Sequence, residues 1–338
     1  MHIASTSVQG FPEFPAKPSR QRRIIVSVVL GIWVVAVIWV GQAPPAAIAT
    51  DWLNVWVGAR AMVHGHSPYG AALEAFHQGS LVAPLYYPAT ATALTAPLGL
   101  LSPRLSGALW SGCGVALLTY AVTRRAWWGL AVLVSAPVLG AVLLGQWSPW
   151  LTAAAALPSL AFVWACKPNI GLAMFAGWPS RRAAIGAAVL VLVSLALAPG
   201  WPREWLSTID AAPQYLAPVF RPGGVLLLLA WIRWREPEAR MLGALAVLPH
   251  TTNLYEMVPL FLIPRRAVEL GVLMAGTYLA YMLTHVPASV GGGRPEAAAA
   301  FLAANWPLYL ACCYLPSLIM VLRRSPTTHP EQHSTSLP

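Results

Sequence analysis

A few polar residues stand where the chain around them is apolar, and each has a chemistry to offer. Asp51 is the first acid after Glu13 and follows a long apolar run. A carboxylate in a partly desolvated loop at a membrane exit can act as a general base if its pKa is tuned toward the working pH; the plain alternative is a helix cap. The stretch it heads, Ala49 to Tyr69, also carries Trp52, Trp56, Arg60, His64, His66 and Tyr69. Two histidines two residues apart in a glycine-containing turn are poorly spaced for a metal, and no metal is expected. Lys167 is one of two lysines, Lys17 being the other. A lysine inside an apolar stretch is costly and calls for a partner, unless it snorkels to an interface; an anion contact is the functional reading. The segment PHTTNLYEMVPLFLIP, Pro249 to Pro264, sets His250, Asn253, Tyr255 and Glu256 between two apolar runs, as an ordinary short loop or as part of a polar site. Gln146 sits in a polar break between Gly145 and Trp147.

The elements that must position these groups are membrane helices. The 338 residues are 57% hydrophobic and 9% charged, with mean hydropathy +0.62. Soluble domains carry about 25% charged residues, so the composition excludes an ordinary soluble surface and implies an all-α polytopic membrane protein. The net charge of +10 falls in clusters: Arg20/Arg22/Arg23, Arg124/Arg125, Arg181/Arg182, Arg233/Arg235/Arg240, Arg265/Arg266 and Arg323/Arg324. Each ends an apolar run, which fits the positive-inside rule better than nucleic-acid binding. Cys113, Cys166, Cys312 and Cys313 lack metal-ligand spacing and read as small buried hydrophobes.

Taken in order, residues 1–23 read as a disordered cytoplasmic tail, 24–324 as one integral domain and 325–338 as a second cytoplasmic tail. Ile24 to Gly41 is an uncleaved first span with its start inside, which puts Asp51 outside. Residues 51–104 hold an outer loop with interfacial helices, 51–83, and then a proline-broken segment, Pro84 to Leu101, that dips into the membrane. Ser106 to Thr123 runs inward and Ala126 to Leu144 outward. Ser148 to Trp178 must cross an odd number of times and is short for three passes, so one broken crossing with a re-entrant part is expected. Ala183 to Ala198 runs outward into a second outer loop, 199–222. Val225 to Trp234, Met241 to Leu248 and Tyr255 to Ile263 are three thin crossings, Val268 to His285 goes out, 286–304 is an outer loop, and Trp306 to Leu322 returns. The expectation is about ten spans.

The stretch DWLNVWVGARAMVHGHSPYG resembles the first outer loop of polyprenyl-phosphate-mannose-dependent mannosyltransferases of the GT-C glycosyltransferase superfamily. The shared features are Asp51, Trp56, Ala59-Arg60 and the turn Gly65-His66-Ser67-Pro68-Tyr69. YYPATATALTAPLGLL, from Tyr86, is similar to the Tyr-Pro-Pro segment that follows in the family, with Ala89 in place of the second proline. Gly145-Gln146, Lys167-Pro168, and His250 with Tyr255 come in the family's order. The interval from Gln146 to Lys167 is shorter than the family's and lacks a basic loop. The resemblance implies a GT-C-like helical bundle and an inverting transfer of a sugar, mannose in the family, from a polyprenyl-phosphate donor to a lipid or glycan acceptor hydroxyl. It implies Asp51 as the base on the extracytoplasmic side of the cell membrane. Arg60, Lys167 and His250 become candidates for the donor phosphate, and Tyr69, Gln146, Tyr255 and Glu256 for substrate binding. No cofactor is implied; the partners are the donor, the acceptor and membrane lipids, and no nucleic acid. Two other readings fit the composition: a transporter or flippase of lipid-linked sugar, which would use broken helices and midplane charges, and a catalytically inactive GT-C-like scaffold.

Overall fold

The computed structural model describes residues 18–41, 50–81, 83–210, 212, 215–284 and 295–324. Most of the expected tails, and residues 286–294 of the expected outer loop, lie outside the described residues. Every regular element among the described residues is helical. By length and composition three helices can cross a membrane, Arg20–Val40, Pro103–Val122 and Ala300–Leu322, or five if two bent pairs each count as one span. The chain is therefore an all-α membrane protein.

The first helix, α1 (Arg20–Gly41), starts inside the expected tail, because Ser19 accepts a hydrogen bond from the Arg22 N–H at 3.3 Å and caps it. Next come α2 (Thr50–Val63) and α3 (Pro68–His77), joined by a turn in which Gly65 has φ +75° and Ser67 caps α3 ahead of Pro68. A short α4 (Ala89–Thr95) runs into a 3₁₀ turn before α5 (Pro103–Val122). Helices α1 and α5 pack through glycines: a Cβ on Gly112 would lie 2.7 Å from the Gly31 carbonyl oxygen. Small residues at a membrane helix contact let the backbones approach and gain dispersion contact.

Helix α5 is about 30 Å long at 1.5 Å per residue, and it separates two ends of the molecule. At its start the Trp52 indole donates to Ser106 Oγ at 2.8 Å. Trp110 stacks on Trp52 and Trp150, with centroids 4.8 and 4.4 Å away, and meets Trp147 edge-on. At its far end the Arg23 guanidinium lies 4.0 Å over the Tyr120 ring. There Arg125 pairs with Glu238 at 3.0 Å and Arg324 with Glu238 at 2.9 Å, while Arg265 bonds Glu236. Arg240 donates to the carbonyls of Ala176 and Gly177, and Arg233 to that of Leu322. Five of the clusters picked out from sequence thus converge on one end.

The chain continues in further helices: α6 (Ala136–Leu144), α7 (Ser148–Ala154), α8 (Pro168–Gly177), α9 (Arg181–Leu197), α10 (Trp201–Asp210) and α11 (Pro237–Val247). Between them lie 3₁₀ runs at Trp127–Val134, Pro158–Cys166, Gly224–Arg233 and Leu254–Leu262. A 3₁₀ helix rises about 2.0 Å per residue, so nine residues reach about 18 Å, a distance that takes about twelve in an α-helix. Residues 148–178 accordingly fold as three short pieces, α7, the 3₁₀ run Pro158–Cys166 and α8. Ala155 and Ala156 line a cavity at the basic end, Lys167 returns to Gln146, and Trp178 lines the same cavity again.

The chain closes with α12 (Ala267–Leu283), α13 (Pro295–Tyr309), a π-helical turn at Leu310–Tyr314, and α14 (Leu315–Leu322). The last helix begins at Pro295, well before the expected Trp306, because EAAAAFLAAN is rich in the strongest helix former. The expected second outer loop, 199–222, contains α10, which is bent by 98° from α9.

Candidate functional site

Asp51, Gln146, Lys167, Tyr255 and Glu256 meet at the end of the molecule where α5 begins. Asp51 lies in the first turn of α2, where the unsatisfied N–H groups of a helix favour a carboxylate. Gln146 follows Gly145, which terminates α6 at φ +66°, a left-handed cap that glycine adopts without steric penalty. The Trp110 indole donates to the Gly145 carbonyl at 3.1 Å and holds that corner. The Gln146 amide nitrogen donates to Asp51 Oδ2. Its oxygen accepts from Lys167 Nζ and from the Tyr87 hydroxyl, each at 3.3 Å.

Lys167 joins the 3₁₀ run Pro158–Cys166 to α8 with φ −140° and ψ 80°. Pro168 keeps the residue before it out of helical geometry, so the side chain leaves the helix axis and turns into the site. Its ammonium is 2.7 Å from Glu256 Oε1 and lies 5.4 and 5.8 Å from the Tyr255 and Tyr87 ring centroids. Both rings are within cation–π range. With 7% of Lys167 exposed, snorkelling does not account for it.

Glu256 lies in the first turn of the 3₁₀ run Leu254–Leu262. Before it stands Thr252 with φ +53°, a left-handed conformation that is costly for a β-branched residue. Strain of this kind concentrates at functional sites. His250 Nδ1 is 2.8 Å from the Leu248 carbonyl and Nε2 is 3.1 Å from the Tyr314 hydroxyl. A carbonyl only accepts, so Nδ1 carries a proton. The Asn253 amide donates to the Tyr255 hydroxyl at 3.1 Å.

Two of the sequence-picked residues stand apart. Arg60 is exposed in the last turn of α2, its guanidinium 5.5 Å from the Trp56 ring centroid. It is nine residues beyond Asp51, about 13 Å along the helix, and does not join the cluster. Tyr69 lies one layer behind, its hydroxyl donating to the Tyr87 carbonyl at 3.0 Å. Burial and then Glu204 push its pKa up, so it serves as a neutral donor.

Sequence reasoning missed four contributors. Tyr87 bonds Gln146 directly, and Tyr314 holds His250. Tyr215 has its pKa pushed up to about 12 by burial and then by Tyr86, Glu256 and Asp51. Arg221 is half-buried with its guanidinium 5.7 Å from the Trp306 ring centroid, and Trp306 packs on Tyr314 with centroids 5.6 Å apart, beside His250. The position of Tyr87 just before Pro88 was the one available hint.

The assembled site offers a carboxylate at its rim, a buried ammonium held by a second carboxylate, and an amide joining the two. That set can take a proton from a hydroxyl and hold an anion nearby. Among the described residues no group of three or more His, Cys, Asp or Glu is placed to hold a metal ion. No family model, curated protein or solved structure matches the chain.

Proposed function

We propose that the protein is a membrane glycosyltransferase with a GT-C-like fold of about ten crossings. It moves a sugar, mannose by the resemblance, from a polyprenyl-phosphate donor to a lipid or glycan hydroxyl on the extracytoplasmic side. The observation that carries this reading is the line from Asp51 through Gln146 to Lys167, with Glu256 behind it.

In this scheme Asp51 takes the proton of the acceptor hydroxyl. The acceptor oxygen attacks the anomeric carbon, and the bond from that carbon to the phosphate oxygen breaks. Its electron pair leaves with the polyprenyl phosphate, and direct displacement inverts the anomeric centre. Donors fixed in place before charge develops stabilise the leaving group most effectively. Lys167 is that donor, and Glu256 keeps it charged in a buried setting. One ammonium against two carboxylates leaves the cluster net negative, so a donor phosphate must draw Lys167 partly away from Glu256. Arg221, on the His250 side, supplies a second positive charge. Gln146 fixes the direction of the Asp51 carboxylate.

The test is direct. Purified protein in nanodiscs, given labelled polyprenyl-phosphate mannose and a lipid acceptor fraction, is expected to yield a glycoside of inverted configuration and free polyprenyl phosphate. A second reading, translocation of a lipid-linked sugar, is favoured by the buried Lys167–Glu256 pair between broken helices. Movement of the intact donor across liposomes, with no glycoside formed, would select it.

A further inference from the structure

The end of the molecule remote from Asp51 holds a cavity of about 450 Å³. Its walls include Arg124, Arg125 and Arg265, the rings of Trp128 and Trp178, and the carboxylate-bearing Glu238. Behind the wall Arg324 is buried against Glu238 and Glu236. Two carboxylates face four guanidiniums here, so two positive charges remain in excess. Glu236 and Glu238 are themselves buried, and their ion pairs with Arg125, Arg265 and Arg324 tie the walls together. Arg124 is exposed, and its guanidinium makes no hydrogen bond or ion pair among the described residues.

We propose that this cavity binds the phosphate of an anionic phospholipid headgroup. The charge excess selects an anion, and guanidinium groups match phosphate oxygens in pairs. A free phosphate ion satisfies the same chemistry, but three features favour the lipid. The cavity lies at the end of α5, about 30 Å from the opposite face, which is the thickness of a bilayer's hydrocarbon core. Trp128 and Trp178 flank it, and tryptophan concentrates at headgroup depth. Apolar side chains open outward close by, among them Val134, 56% exposed, where acyl chains would lie. Basic pockets between helices on the positively charged side of a membrane protein suit acidic headgroups. The site is separate from the Asp51 cluster and independent of the chemistry proposed there.

The test compares the full chain in nanodiscs of phosphatidylcholine with a small fraction of phosphatidylglycerol, lipid retention being read by native mass spectrometry. The wild type is expected to retain phosphatidylglycerol selectively. Arg124→Gln, which breaks no side-chain hydrogen bond or ion pair among the described residues, is expected to weaken retention roughly ten- to a hundredfold, the usual consequence of losing one charge-assisted contact. Ala156→Leu, which fills the cavity without changing charge, is expected to do the same. Arg203→Gln, an equal charge loss on the exposed face of α10, should leave retention unchanged. Equal retention by wild type, Arg124→Gln and Ala156→Leu would overturn the proposal. Full displacement of the lipid by millimolar inorganic phosphate would also overturn it, in favour of a soluble anion.

Discussion

The Lys167 ammonium stands 2.7 Å from Glu256 Oε1, with 8% of one side chain and 1% of the other exposed. Two charges removed from water this completely depend on each other. Loss of either partner from a buried pair typically costs about 3–5 kcal/mol, because the survivor is left uncompensated, whereas replacing both is often close to neutral. Lys167→Met and Glu256→Gln should therefore each lower the thermal midpoint markedly, and the double variant should recover much of the loss. Additive midpoints would show that the two do not act as a pair.

Lys167→Met/Glu256→Gln also isolates the proposed role of the lysine. Refolding the pair as neutral groups restores the scaffold but not the cation. Donor affinity should stay about 1.5–3 kcal/mol weaker than wild type, as expected for a lost charge-assisted contact. Equilibrium binding of labelled polyprenyl-phosphate mannose measures this, and wild-type affinity in the double variant would remove Lys167 from donor recognition.

Asp51→Asn keeps size and most hydrogen bonding but cannot take a proton. If Asp51 is the base, kcat should fall by about 10² to 10⁴-fold with donor affinity much less altered. Asn is as good as Asp near a helix start, so a purely structural role predicts near-normal turnover. Nearly full activity in a well-folded Asp51→Asn protein would falsify the proposed mechanism.

The α1–α5 contact is testable without any substrate. Gly112→Leu places a Cβ 2.7 Å from the Gly31 carbonyl oxygen, a backbone atom that can move only with its helix. Overpacking of this kind costs about 1–3 kcal/mol. A midpoint unchanged from wild type would mean that α1 does not pack as described.

Orientation can be read by labelling. Gln78, exposed just after α3, belongs to the end that carries Asp51. Gln78→Cys in a Cys113→Ser background should react with an impermeant thiol reagent on intact spheroplasts. Reaction only after lysis would invert the proposed sidedness.

Much of the site was legible because a membrane sequence exposes its exceptions. Asp51, Gln146, Lys167 and Glu256 are polar groups in apolar surroundings, and the structure brings them together. Arg60 was equally conspicuous but lies too far along α2, a matter of helical rise that residue type does not reveal. Tyr87 and Tyr215 were not legible, since tyrosine is common at membrane interfaces. Arg221 reads as one more loop cation until Trp306, some eighty positions later, is seen beneath it. The helix types between Ser148 and Trp178 were not legible, because short apolar runs do not declare whether they rise 1.5 or 2.0 Å per residue.

Gln146 has one further consequence. A side-chain amide is polar in one direction, and here its nitrogen faces Asp51 while its oxygen faces Lys167. That order suits a carboxylate that has lost its proton. Once Asp51 has taken a proton from an acceptor, its hydroxyl is best met by an oxygen, and turning the amide to supply one would take that oxygen from the lysine. The amide would then aim its N–H groups at the ammonium, a repulsive contact. In the proposed mechanism, collecting the acceptor's proton would thus loosen Lys167 at the stage when a departing phosphate needs it, and one torsion angle would synchronise two events on opposite sides of the sugar.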